Sequence, residues 1–104
     1  MDVLENERFV FIRSTVAGTR AEDLDVAVTH DTVTIRGHRH HACAEWEDAT
    51  FHVQECHWGA FSRSIVLPSH VRPAEADAVL KNGILTITLP KTEVAASLSV
   101  IELP

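Results

Sequence analysis

A chain of 104 residues, 45% hydrophobic and 23% charged, with four glycines and four prolines, has room for one domain with a real core and lacks the composition of a disordered polymer. Fifteen acidic against nine basic residues give a net charge of −6, which repels phosphate backbones, and no apolar run approaches the ~18 residues of a membrane span, so neither nucleic acid nor membrane is an expected partner. The opening MDVLENERF lacks the basic and apolar blocks of a signal peptide, which points to the cytoplasm and to Cys43 and Cys56 as free thiols.

About seven residues precede the first expected strand, residues 8–14 (RFVFIRS). There Phe9 and Phe11 face one way and Val10 and Ile12 the other, the pattern of a strand covered on both faces or met by a partner. Gly18 breaks the run, and residues 21–23 form a short turn. Leu24, Val26 and Val28 then alternate with Asp25, Ala27 and Thr29 as a second strand. His30 and Asp31 turn the chain tightly into residues 32–36 (TVTIR), and Gly37 closes this hairpin.

From residue 38 to residue 50 (HRHHACAEWEDAT) the alternation disappears around a single Trp46, which predicts one long loop. Residues 51–57 and 60–67 flank Trp58 and Gly59 and read as a second hairpin with a two-residue turn. Pro68 and Pro73 interrupt the next stretch. Residues 77–81 (DAVLK) form a short strand that reaches Asn82-Gly83, and the closing strand follows. In it Leu85, Ile87 and Leu89 share one face, Thr86 and Thr88 the other, and Pro90 ends the run because it has no N–H for a ladder. Seven to eight short strands without a helix predict an all-β, antiparallel, immunoglobulin-like β-sandwich. After Lys91 the signals fade until an apolar tip at Val100, Ile101 and Leu103.

Four segments carry a family resemblance. NGILTITLPK, residues 82–91, resembles the G-x-L signature near the end of the α-crystallin domain of small heat-shock proteins. Residues 21–39 are similar to that family's E-D-[IL]-x-V-x-V followed by L/V-T-I-x-G. FSRSIVLP places Arg63 five residues ahead of Pro68, as the family does, and Ile101-x-Leu103 resembles its I-x-I/V tail motif. Three features depart from the pattern. The lead-in is shorter than the usual N-terminal arm, Ala17-Gly18 stands where Pro-Gly is usual, and HRHHACAEW replaces a Glu/Lys-rich loop.

The resemblance implies an α-crystallin domain over residues 1–91 and a C-terminal extension over residues 92–104. It implies a homodimer in which the long loop crosses to pair with the partner, burying Trp46 and pairing Arg63 with Glu45, Glu47 or Asp48 of the partner subunit. It also implies an edge groove bordered by Leu24, Val26 and Val28 on one strand and Ala78, Val79 and Leu80 on another. Ile101 and Leu103 would insert there, in the chain's own groove or a neighbour's, the second case building higher oligomers. The implied function is that of an ATP-independent holdase, which binds partly unfolded client proteins and limits their aggregation without catalysis or cofactor.

The residues by themselves leave plainer alternatives open: a solvated loop, a surface Arg63 and an unpinned tail. His38, His40, His41 and Cys43 are ligand types suited to zinc or copper, but structural sites usually supply two separated ligand pairs, and no metal site is assigned. A co-chaperone or interaction module of the p23 and CS-domain type, or a metal-binding accessory protein, are the alternative functions. No G-x-S-x-G elbow, HExxH or phosphate-cradling glycine loop points to an enzyme.

Overall fold

The computed structural model describes residues 1–40, 48–92 and 100–104. Among them the chain forms seven strands: β1 (Asp2–Glu5), β2 (Phe9–Thr15), β3 (Leu24–Val28), β4 (Thr32–Arg39), β5 (Gly59–Val66), β6 (Asp77–Lys81) and β7 (Ile84–Pro90). Short 3₁₀ turns at Ala21–Asp23 and Pro73–Glu75 lead into β3 and β6. The strands build two antiparallel sheets, one ordered β1-β2-β7-β6 and the other β3-β4-β5. This is the all-β sandwich that the alternating pattern predicts.

The core is the meeting of the two inner faces. Val10 and Ile12 of β2 and Leu85, Ile87 and Leu89 of β7 supply one wall, and Val33 and Ile35 of β4 supply the other. Val16, Leu67 and Val71 close the ends. Each such aliphatic side chain contributes about 1.5–3 kcal/mol on burial, and no buried polar group among the described residues offsets that gain. The sheets are also tied by backbone bonds through the 67–72 stretch. Val71 N–H donates to the His30 carbonyl at 2.8 Å, and Arg72 N–H donates to the Pro90 carbonyl at 2.9 Å.

Two hairpins follow directly from local chemistry. Between β6 and β7, Asn82 and Gly83 both adopt positive φ, 53° and 76°, the conformation a two-residue hairpin turn demands. Between β3 and β4, the Thr29 N–H donates to the Thr32 carbonyl at 2.9 Å and closes the His30-Asp31 turn.

Three expectations are corrected. First, a strand precedes residues 8–14: β1 pairs with β2 in the register Glu5↔Val10 to Asp2↔Arg13. Its turn is made by Asn6, whose side-chain carbonyl accepts from the N–H groups of Arg8 at 2.9 Å and Phe9 at 2.7 Å. Asn favours such side-chain-mimicked turns, and this was the available signal. Second, Gly37 does not close β4, which continues to Arg39 because β5 pairs with it as far as Arg39↔Gly59. Third, residues 51–57 are not a strand and form no hairpin with β5. The hydrogen bonds of β5 go to β4 instead, across the long connection.

Candidate functional site

Among the described residues, strands β3 and β6 are edge strands of opposite sheets, so each leaves one row of backbone groups unpaired by a neighbouring strand. Between them opens a cleft of about 270 Å³ lined by Val26, Val28, Pro73, Ala76, Asp77, Ala78 and Ile87. Val26 and Val28 reach it because β3 alternates Leu24, Val26 and Val28 inward. Ile87 forms the floor at 1% exposure. The lining is apolar apart from Asp77, which suits an aliphatic occupant with a polar flank.

Of the residues expected to border this groove, Val26, Val28 and Ala78 line it. Leu24 and Leu80 are half-buried and pack against the core cluster. Val79 is different. It pairs with Thr86, whereas its neighbours Ala78 and Leu80 pair with the core residues Ile87 and Leu85, so Val79 points to the outer face and is 52% exposed. The strand's period of two puts it there. Pro73, Ala76 and Asp77 are cleft residues that the sequence pattern did not single out. A proline opening the turn just before β6 was the signal available for them. Ile101 and Leu103 stand outside the cleft lining, 81% and 82% exposed.

The second region is the connection between β4 and β5. Arg63 lies on β5 opposite Ile35, exposed, and forms no ion pair among the described residues. Asp48 is exposed as well. Trp46, Glu45 and Glu47, like His41 and Cys43, lie outside the described residues.

Where β4 ends, Arg39 donates from Nε to the Ala17 carbonyl at 2.7 Å and from Nη1 to the His57 carbonyl at 3.3 Å. Its guanidinium carbon sits 5.3 Å from the centroid of the Phe61 ring, within cation–π range. Next to it, His40 Nε2 lies 3.1 Å from Asp23 Oδ1. That hydrogen bond holds the Asp23 carboxyl below the ordinary aspartate value, outweighing partial desolvation. The rings of His38 and His40 are 4.5 Å apart, yet no three His, Cys, Asp or Glu groups among the described residues are arranged to hold a metal. Cys56 is an exposed free thiol.

The third region is the outer edge of β1. This strand is pinned by Glu5, whose carboxylate meets Lys91 Nζ at 3.0 Å and accepts from Ser69 Oγ at 3.1 Å. Both contacts lower the Glu5 pKa, Lys91 more than Ser69. No helix among the described residues is long and apolar enough to cross a membrane.

This architecture has known counterparts. Heat shock protein 16.0 from Schizosaccharomyces pombe superposes with a TM-score of 0.79 at 28% identity, covering 99% of this chain and 94% of that one. A small heat-shock protein from Xylella fastidiosa gives a TM-score of 0.75 over 99% and 93% of the two chains, and at 22% identity it speaks for the fold alone. In sequence, small heat shock protein C4 of Rickettsia felis is 35% identical over 92 residues, covering 88% of this chain and 56% of the relative. Spore protein SP21 of Stigmatella aurantiaca is 36% identical over 90 residues, covering 86% and 53%. The chain thus spans little more than half the length of these curated relatives. The profile of the Hsp20/alpha crystallin family matches residues 2–103, and the chain belongs to that family.

Proposed function

We propose that this chain is the α-crystallin domain and tail of an ATP-independent chaperone, which binds exposed apolar segments of partly unfolded proteins and slows their aggregation. The observation that carries this proposal is the cleft between two unpaired strand edges, β3 and β6, with an aliphatic lining and a floor at Ile87. An extended apolar segment can add its backbone to such an edge and its side chains to the cleft. Binding of this kind works by mass action: a client held at an apolar edge is withdrawn from self-association, and the net charge of −6 keeps the complex dispersed. No bond is made or broken, and no cofactor is required.

In this proposal residues 1–91 are the sandwich and residues 92–104 an extension. Ile101 and Leu103, two residues apart, project on the same side of an extended tail and compete with clients for the cleft, while Glu102 stays wet. The long connection between β4 and β5 crosses to a second copy. There Trp46 becomes buried, and Arg63 finds its carboxylate in Glu45, Glu47 or Asp48 of the partner subunit. Arg63, exposed and without an ion pair among the described residues, and the edge of β1, open among them, support that pairing. The expected compartment is the cytoplasm.

Light scattering of a heat-labile protein, with and without the chain, is the test, run beside its mass in solution by sedimentation. Suppressed scattering at several-fold excess and a dimeric or larger mass are expected. Undiminished scattering from a chain of dimeric mass would overturn the chaperone proposal and favour an interaction module. A stable monomer at micromolar concentration would overturn the dimer.

A further inference from the structure

We infer that Arg39 is the positioning residue that fastens both ends of the β4–β5 connection to the sandwich and thereby sets how readily that connection changes partners. The second half of this inference rests on the dimer proposed above.

The connection leaves β4 at Arg39 and re-enters the sheet at Gly59, its register partner. The ladder brings the two ends side by side, but its hydrogen bonds stop at Arg39 and Gly59 and do not themselves fix the direction of the chain beyond that pair. Arg39 is the side chain that does. Its Nε donates to the Ala17 carbonyl, in the turn between β2 and β3, and its Nη1 donates to the His57 carbonyl, two residues before β5. Its guanidinium carbon lies over the Phe61 ring of β5, and its aliphatic stem passes beside Gly18. One half-buried side chain therefore joins the exit of β4, the entry to β5 and the turn on the opposite sheet's strand β2.

The chemistry of these contacts separates positioning from charge balance. Among the described residues Arg39 meets no carboxylate, and its hydrogen bonds to Ala17 and His57 both end on backbone carbonyls. A guanidinium offers fixed, divergent donors on separate nitrogens of a plane that also stacks, whereas an ammonium gathers its three donors on one nitrogen and has no plane to stack. The neighbouring contacts are local to one end. His57 Nε2 lies 3.2 Å from the Ala60 carbonyl, and His40 bonds Asp23, so neither histidine bridges the connection's two ends. Arg39 does, and it is the group whose loss frees them together.

The experiment compares the full chain with R39M, which keeps the stem and loses every donor, and R39K, which keeps the charge and loses the fork. Amide hydrogen exchange is followed by residue, and subunit exchange is followed by mixing isotopically labelled and unlabelled protein. Both variants are expected to lose protection at residues 57–60 by about tenfold or more, the loss that follows from removing charge-assisted hydrogen bonds, while Val10, Ile12 and Ile87 keep wild-type protection. Subunit exchange is expected to accelerate by a similar factor. Unchanged protection at residues 57–60 would overturn the inference, and so would protection lost equally at Ile12 and Ile87, which marks a general role in stability. An R39K protein indistinguishable from wild type would overturn the argument from the guanidinium fork. If the wild-type chain sediments as a monomer, the dimer proposal falls and takes the subunit-exchange half with it. The local protection result then decides the anchoring half alone.

Discussion

Gly37 sits where three strands meet, opposite Leu24 of β3 and Phe61 of β5, and its missing side chain is what lets the Phe61 ring lie across the sheet. A Cβ there would run into Phe61 Cζ and come within 2.9 Å of both Phe61 Cε1 and Leu24 Cδ2. Contacts under 3 Å must be relieved by moving the ring and the Leu24 side chain, and the Arg39 guanidinium over the same ring is displaced with it. Overpacking of this kind costs about 1–3 kcal/mol, against which Ala in a strand recovers about 0.5–1 kcal/mol of glycine's entropic handicap. The net expectation for Gly37→Ala is a loss centred on about 1 kcal/mol and reaching at most about 2.5 kcal/mol, the central value corresponding to roughly 4–8 °C in thermal midpoint for a domain of this size. Urea and thermal unfolding at one fixed protein concentration measure it, since self-association would otherwise shift the midpoint. A second variant, Phe61→Leu, shortens the obstructing ring, so the double variant is expected to recover at least about 0.5 kcal/mol relative to the sum of the single losses. A Gly37→Ala protein as stable as wild type, or strictly additive effects, would refute the reasoning.

Acid should loosen β1. The Glu5 carboxyl is held below the ordinary glutamate value by Lys91 first and Ser69 second, so its contribution is present above the unfolded value of about 4.3 and is lost as pH falls through the lower folded value. Glu5→Gln is therefore expected to lower the thermal midpoint at pH 7, with the gap to wild type narrowing as pH falls below about 4.3; a gap that does not narrow in acid would count against it. For the tail, replacing Ile101 and Leu103 together with Ala removes two apolar side chains, each contributing about 1.5–3 kcal/mol if buried. Lower mass in solution and brighter binding of an apolar dye are the expected results, and an unchanged mass with unchanged dye signal would argue against tail insertion.

Much of the sandwich was legible because a strand's period of two is written locally. Leu85, Ile87 and Leu89 alternate with threonines, Val33 and Ile35 do likewise, and Asn82-Gly83 supplies the positive φ angles that join β6 to β7. The same periodicity, applied strictly, would have moved Val79 off the groove, since Ala78 and Leu80 claim the inner face. β1 escaped notice because a four-residue strand is too short to show a period, and its turn signal rests on the side chain of Asn6. The hairpin expected at Trp58-Gly59 failed for a different reason: residues 51–57 offer only Phe51 and Val53 as large hydrophobic side chains, both exposed, and β5 is satisfied by the distant β4.

The amino-acid sequence by itself determined the class of fold, the inner faces of the strands, the β3–β4 and β6–β7 hairpins and the membership suggested by four motifs in order. These depend on side-chain alternation and turn chemistry, which act over a few residues. Only the tertiary structure decided which edges stay open, that Pro73 and Ala76 join Val26, Val28 and Ala78 in lining the cleft while Val79 turns away from it, and that Arg39 bridges Ala17 to His57. Those facts depend on sheet order and register between residues far apart in the chain, and local periodicity is equally compatible with other orders.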